Sequence, residues 1–333
     1  MRLAYGDTIR VCGLIAVLLI HVCGFGRRPP LLEDTTGWWI CNAFSSLSQW
    51  AVPVFVMLSG ALLLNPDRQE TPLAFARKRF LRVGVPLLFW CYFYLSWSNP
   101  KGMSPQSWDF LRQGRPYYHL YFLFIVAGLY LLTPPLRALI RFLGDRERWW
   151  LGATALGMAG ATVFWRPEAE GRVAWMLFVP YLGYYILGFS LKRRTGDPLT
   201  PLLGLLGWLL AAAYLVFGEW VRAADAEPTE ALRYVIQGHF SPAVIMESLG
   251  VFACLREWVR RESRWVRELA QLSLGIYLIH PYLLEELAKS GLSNRWHGPA
   301  VGVPVTVVVL LGFSTLAVYL IQRAPFAKLL IGG

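Results

Sequence analysis

Long apolar stretches alternate with short polar segments along almost the whole chain. In a bilayer every backbone N–H and C=O must find its partner inside its own segment, so a crossing helix needs roughly 20 mainly apolar residues. The chain offers about ten such stretches, and the pattern therefore predicts an all-α, polytopic helix bundle, with residues 1–333 forming one domain in the membrane. The predicted spans, with ends uncertain by about ±2–4 residues, are 9–26, 43–64, 80–98, 119–140, 149–165, 173–191, 202–220, 239–256, 268–288 and 299–322.

Composition agrees with this pattern and excludes a water-soluble domain. Apolar residues make up 56% of the chain and charged residues only 16%. The first span lacks a small-residue cleavage pattern before Arg27, so it is interpreted as a retained helix rather than a secretory signal.

The net charge of +11 would suit a nucleic-acid partner, but the distribution of the charge favours a membrane. With the N-terminus in the cytoplasm, the basic clusters all fall inside, as the positive-inside rule requires. We therefore expect a cytoplasmic (inner) membrane location with both termini cytoplasmic, membrane lipids as partners, and no nucleic acid. The clusters are 77–79, 192–194 and 256–267, whereas Asp225, Glu227 and Glu230 fall outside.

Ionisable side chains mark both ends of the first span. Asp7 and Arg10 lie near its start and His21 near its end. Along an α-helix, eleven steps place His21 within about 20° of Arg10 and roughly 16 Å further on, so the two share one stripe. Asp7 lies one turn before Arg10 and can pair with it. The stripe is typical of a polar cavity, although an anchoring arginine and an interfacial histidine would look the same.

Two arginines mark the cytoplasmic start of the third span. Arg79 and Arg82 are three residues apart, which on an α-helix places them on neighbouring positions of one face. Paired guanidinium groups can grip phosphate oxygens, so a polyphosphate donor is one interpretation. Positive-inside anchoring is the other.

Further polar residues inside the apolar stretches are candidates to line a cavity. Glu247 lies about 12 Å inside the eighth span, where a carboxyl group must be protonated, paired or facing a cavity. Histidines gather toward the outer side of the membrane. The five cysteines show no metal-binding spacing, and we expect no metal. The candidates are Ser59, His119, Glu247 and His280, to which Asp7 is added. The pair Ser59-Gly60 is also typical of a helix kink or a close helix contact, which is the alternative interpretation for Ser59.

Taken together, these motifs resemble the integral membrane acyltransferases of the acyltransferase-3 family. That family carries an Arg and a His separated by ten residues in its first helix, as Arg10 and His21 are, and an Arg-x-x-Arg pattern, as in RKRFLRVGVPLLFW. The resemblance covers about residues 5–288. The segments VPVFVMLSGALLL, HLYFLFIVAGLYLLTPPLR, YLGYYILGFSL and LSLGIYLIHPYLL are similar to further family blocks in the same order.

The resemblance implies an O-acyltransferase that moves an acyl group, often acetyl, from cytoplasmic acyl-CoA to a hydroxyl of a cell-envelope glycan or lipid-linked glycan. By position, the family's catalytic residues correspond to Arg10 and His21, and its CoA-side arginines to Arg79 and Arg82. Val11 stands where many members carry glycine, a variant associated with shorter members. We therefore expect the shorter form without an attached hydrolase-like domain, with delivery completed by this chain or by an envelope partner protein.

His21 is the predicted general base, since an ordinary histidine has a pKa of about 6.5. Two other classes remain open at this stage. A glycan or lipid transporter or flippase would also need a polar cavity inside the membrane. A non-catalytic scaffold explains the helices, but not the arginine and histidine on one stripe.

Overall fold

The computed structural model describes residues 3–24, 34–99, 104–165, 173–224, 230–261, 263–324 and 326–333. Within these ranges every regular element is helical and no strand occurs, which confirms the all-α prediction. The α-helices are α1 Ala4–Gly24, α2 Thr35–Ser46, α3 Ala51–Leu63, α4 Pro72–Arg79, α5 Val85–Ser98, α6 Pro105–Arg112, α7 Tyr121–Arg141, α8 Asp145–Trp165, α9 Leu182–Ser190, α10 Leu199–Ala224, α11 Glu230–Gln237, α12 Pro242–Trp258, α13 Arg264–Lys289 and α14 Pro299–Arg323.

A π-helical turn, Phe80–Gly84, joins α4 to α5. Its position has a local cause, because Pro86 has no N–H for the carbonyl of Arg82 and its ring crowds that carbonyl. The wider turn accommodates the proline without ending the helical rod. Two 3₁₀ turns, Ala174–Met176 and Val179–Tyr181, precede α9, and a third covers Ala327–Ile331.

Each of the ten predicted spans overlaps helix in the described residues, but the count of ten is not confirmed. Among the residues that the structure describes, seven helical segments are long and apolar enough to cross a membrane. Helices α8 and α13 carry several charged residues, and the apolar segment before and including α9 is short. Residues 25–26 of the first predicted span, and parts of the polar segments 99–118 and 221–238 that separate predicted spans, lie outside the described residues. The seven segments are Tyr5–Gly24, Thr35–Leu63, Pro72–Ser98, Tyr121–Arg141, Leu199–Ala224, Val235–Trp258 and Pro299–Arg323.

Large apolar side chains lie exposed along α10 and α14. A contiguous apolar surface of this kind is unfavourable in water and suits lipid tails. These two helices therefore present the surface of a membrane protein. The exposed side chains include Leu202, Leu206, Leu209 and Phe217 on α10, and Val308, Phe313, Leu316 and Leu320 on α14.

The chain divides into two compact units. Unit 1 contains α1, α2, α10 to α13 and most of α14. Its first helix packs against α2, α12 and α13. The core that holds the C-terminal half of α1 joins residues from four helices: Leu18, Val22 and Cys23 of α1, Cys41 of α2, Leu284 of α13, and Val303, Val307 and Leu310 of α14. This packing fixes the part of α1 that carries His21.

Unit 2 contains most of α3, α4 to α7, most of α8, and α9. Helices α3 and α9 cross closely because a glycine stands on each side of the crossing. A Cβ atom on Gly60 would overlap the carbonyl oxygen of Tyr185, and one on Gly188 would overlap that of Met57. The sequence prediction that Ser59-Gly60 serves a close helix contact is confirmed at Gly60, as small residues let helix backbones approach in membranes.

We expect Gly60→Ala to reduce the yield of folded protein, because the new methyl group would collide with backbone rather than with a flexible side chain. Gly157→Ala is the matched control, since a Cβ there meets nothing within 4 Å and alanine favours helix by about 0.5–1 kcal/mol. The measurement is the monodisperse fraction in detergent and its thermal midpoint. Equal behaviour of the two variants would show that the crossing is not tight.

Candidate functional site

Asp7 and Arg10 form an ion pair one turn apart on α1, which confirms the predicted pairing. The Asp7 side chain is 7% exposed and that of Arg10 is 33% exposed. Because α1 runs without a break from Ala4 to Gly24, Arg10 and His21 belong to the same continuous helix, as the stripe prediction requires. The pair orients the guanidinium group and partly neutralises it near lipid.

His21 lies directly against His280 of α13. The Nδ1 atom of His21 is 2.6 Å from the Nε2 atom of His280. The two rings are tilted by only 5°, and their centroids are 4.9 Å apart. That separation equals the N···N distance plus the two ring radii, so the rings lie edge to edge in a common plane. This is the geometry of an N–H···N hydrogen bond rather than of face-to-face stacking.

The two histidines differ in their access to the surroundings. His21 is partly exposed, whereas His280 is completely buried. The Nδ1 atom of His280 lies 2.7 Å from the backbone oxygen of Tyr277, one turn earlier in α13. His21 is therefore the more accessible of the two histidines, and His280 lies behind it.

Glu247 is buried in α12, as the sequence predicted for the interior of a span. One carboxyl oxygen accepts a hydrogen bond of 3.1 Å from Nε1 of Trp208 in α10. The other, Oε2, is buried without a hydrogen-bond partner among the described residues. The carboxyl group thus links α12 to α10 within unit 1.

Arg79 and Arg82 lie in unit 2 and differ in their surroundings. Arg79 ends α4, and its guanidinium carbon lies 5.1 Å from the centroid of the Phe75 ring and 5.4 Å from that of Tyr130. Arg82 belongs to the π-helical turn and is exposed. The turn interrupts the α-helical spacing on which the prediction of a shared face depended.

Arg137 of α7 is a further candidate that the sequence analysis did not single out. Its guanidinium carbon lies 4.8 Å from the same Phe75 ring, and the residue is 8% exposed. Its Nε donates to the backbone oxygen of Leu63 at 2.7 Å, while Glu70 is 4.0 Å from Nη1. Within the described part of the chain, Arg137 Nη2 and Arg79 Nε are buried without hydrogen-bond partners. The signal in the sequence was a lone arginine closing the apolar run LYLLTPPLR.

The remaining candidates also lie in unit 2. Ser59 is half-buried in α3. His119 is 1% exposed just before α7, with its ring edge-on to Tyr94 at 5.0 Å and to Tyr117 at 5.8 Å. Their assignment to a cavity stays a prediction.

The fold and the residues of unit 1 define a class: a helical membrane protein whose first helix carries an ion-paired arginine and a histidine hydrogen-bonded to a second histidine. Comparison with known proteins agrees with this class. A family model described as "Acyltransferase domain" matches residues 3–323. The chain therefore belongs to this family, acyltransferase-3, and is a membrane acyltransferase.

One curated relative matches over nearly the full length of both chains. It is the nodulation protein NolL of Sinorhizobium fredii (strain NBRC 101917 / NGR234), which is 23% identical over 359 residues, covering 97% of this chain and 90% of the relative. No solved structure matches the chain. Among the three classes that the sequence left open, the family decides for the acyltransferase.

Proposed function

We propose that this protein is an O-acyltransferase of the cytoplasmic membrane that transfers an acyl group, acetyl in the simplest case, from cytoplasmic acyl-CoA to a hydroxyl of a cell-envelope glycan or lipid-linked glycan. The observation that carries the proposal is the in-plane contact between His21 and His280. A partly exposed imidazole that is oriented by a buried partner is the usual arrangement of a general base.

His21 removes the proton from the acceptor hydroxyl while the hydroxyl oxygen attacks the carbonyl carbon of the thioester. As the new C–O bond forms and the C–S bond breaks, the proton passes from His21 to the departing sulfur. The products are the ester and the free thiol of CoA, so atoms and charge balance. Arg10, roughly 16 Å along the same helix, orders the polar cavity rather than meeting the reacting atoms.

Arg79 and Arg137 are the proposed ligands for donor phosphate. The guanidinium groups of Arg79 and Arg137 lie against the same Phe75 ring and repel each other. Glu70 lies close to both Arg137 and Arg68, so its one negative charge is shared between two arginines. Buried N–H groups without partners are unfavourable unless a ligand completes their hydrogen bonds. A phosphate group supplies several acceptor oxygens and the missing negative charge. Arg82, which is exposed beside Arg79 and Arg137, would contact a donor phosphate group that lies closer to the solvent.

The proposed orientation has both termini in the cytoplasm, because the basic clusters then follow the positive-inside rule. In this orientation Arg79 and Arg137 lie toward the cytoplasm, where the donor is, and His21 lies toward the outer face. An envelope partner protein would then receive or present the acceptor glycan.

Transfer by the purified protein tests the proposal. We expect the protein in nanodiscs to move labelled acetyl from acetyl-CoA to an envelope glycan fraction, with release of one CoA thiol per ester formed. Absence of both thiol release and ester formation, across acetyl-CoA and longer acyl-CoA donors, would contradict it.

Replacing Arg79 or Arg82 with lysine tests phosphate binding against simple anchoring. Lysine keeps the positive charge but loses the forked donor geometry, so a bound phosphate should be held less tightly. We expect Arg79→Lys to weaken CoA affinity about 10-fold, and the exposed Arg82→Lys to weaken it less. Isothermal titration of CoA into the solubilised protein measures both. Unchanged affinity in both variants and in the double variant would leave the two arginines as anchors only.

A further inference from the structure

The contacts of His280 determine which nitrogen of each ring carries the proton. The backbone oxygen of Tyr277 can only accept a hydrogen bond, so the nearby Nδ1 of His280 must carry a proton. In a neutral imidazole the other nitrogen, Nε2, then carries a lone pair. Because Nε2 faces Nδ1 of His21 at 2.6 Å, His21 must donate to it from a protonated Nδ1. The lone pair of His21 is thereby placed on its own Nε2.

The opposite arrangement is unfavourable. If His280 donated from Nε2 to His21, its Nδ1 would carry a lone pair pointing at the Tyr277 oxygen from 2.7 Å. Two acceptors at that distance repel each other, and both would be buried. The neutral pair therefore has one low-energy arrangement of its protons.

The sequence also explains why the Tyr277 carbonyl is oriented toward His280. In a regular helix this carbonyl would accept from the backbone N–H four residues later, but that residue is Pro281, which has none. The Nδ1–H of His280, three residues later, provides a donor in its place. The dipeptide His280-Pro281 thus removes the usual backbone donor to the Tyr277 carbonyl and supplies the His280 side chain in its place, which holds the His280 ring in position on α13.

We infer that His280 is a positioning residue that fixes His21 in the Nδ1-protonated form, so that His21 Nε2 is the basic atom in acyl transfer. The inference rests on the proposed function, in which His21 is the base. When Nε2 of His21 takes up the hydroxyl proton, its Nδ1–H continues to donate to His280, and the charge is shared along the chain that ends at the Tyr277 carbonyl. His280 itself does not touch the substrate.

Nitrogen NMR of ¹⁵N-histidine-labelled full-length protein in nanodiscs tests this directly, because protonated and unprotonated ring nitrogens resonate in separate regions. The His21 signals are assigned by their loss in His21→Gln. We expect His21 protonated at Nδ1, with a scalar coupling across the N–H···N bond to His280. A neutral His21 ring that carries its proton at Nε2, without that coupling, would overturn the inference. The sample contains neither acyl-CoA nor an acceptor glycan, so the outcome is independent of whether the proposed reaction is correct.

Two substitutions at His280 separate positioning from packing. His280→Leu fills similar space but offers no hydrogen-bond acceptor to the Nδ1–H of His21, so both tautomers of His21 should be populated. Acyl transfer should then fall on the order of 10²-fold. His280→Gln places an amide oxygen near the former Nε2 and should restore the tautomer and part of the activity. In a His21→Gln background, His280→Leu should have no further effect on transfer per folded molecule.

Equal losses in His280→Leu and His280→Gln with the His21 tautomer unchanged would show that His280 only packs the helices, while the proposed function would stand. Absence of transfer in the unmodified protein would instead contradict the proposed function and leave the NMR result as the test of the tautomer. Should His280→Leu fail to insert, two measurements still decide whether His280 sets the tautomer of His21. They are the scalar coupling between the two histidines in the unmodified protein and the activity of His280→Gln.

Discussion

Replacing His21 with glutamine should lower acyl transfer by about 10²–10⁴-fold, the usual contribution of a positioned acid–base group. Glutamine keeps a polar side chain of similar reach but cannot accept a proton at neutral pH. His21 is partly exposed, and the core beside it is formed by apolar residues of α1, α2, α13 and α14, so insertion and folding should be largely retained. The measurement is ester formed per correctly inserted molecule, normalised to membrane abundance.

A histidine outside the pair provides the control. His297 is exposed in the turn between α13 and α14, with a left-handed backbone φ of 51° that asparagine also tolerates. His297→Asn should therefore transfer acyl groups at the normal rate. Near-normal transfer by His21→Gln, measured beside this control, would remove His21 as the base.

Replacing Arg79 and Arg137 together with glutamine should weaken CoA binding by about 10²–10⁴-fold. Hydrogen bonds to charged groups contribute roughly 1.5–3 kcal/mol each, and every 1.4 kcal/mol is a factor of ten in Kd. Neither glutamine can restore the charge or the forked geometry at the Phe75 ring. The titration uses CoA itself, in detergent, without an acceptor.

The control removes the same charge from the same two helices. Arg77 on α4 and Arg141 on α7 are exposed, and Arg141 donates to the backbone oxygen of Pro66 at 2.9 Å without contacting the Phe75 ring. Arg77→Gln combined with Arg141→Gln should lose only the long-range attraction for a polyphosphate, which added salt screens. If both double variants lose affinity equally, general surface charge rather than the Arg79–Arg137 cluster binds the donor.

Local features of the structure followed well from the sequence. Helices and the ion pair between Asp7 and Arg10 depend on residues one turn apart, and helical periodicity encodes such neighbours directly. The close contact at Gly60 was also visible, because a small residue in an apolar run signals helix packing.

Contacts between distant segments did not follow from the sequence. His21 and His280 are 259 residues apart, and no local pattern states that α1 packs against α13. Sequence reasoning placed both toward the same side of the membrane but not in contact. Arg137 was overlooked for a similar reason, since an arginine near the end of a span is ordinarily an anchor, and only the fold brings it to Phe75.

The span count and the Arg79–Arg82 face show a third kind of difference. Hydropathy identifies apolar length, but α13 is long and also charged, because its buried face carries His280 while other positions carry exposed ions such as Lys289. The π-helical turn before Pro86 shifts the register that a regular helix would give to Arg82. Both features arise where a helix departs from the average pattern on which sequence rules depend.

Mass spectrometry of envelope glycans tests the central claim most directly. Cells lacking the protein and cells carrying only His21→Gln should lose the same acyl mass from one glycan class, and cells carrying the unmodified protein or His297→Asn should retain it. Membrane abundance of each variant is measured in the same samples. An identical set of glycan acyl groups with and without the protein would contradict the account.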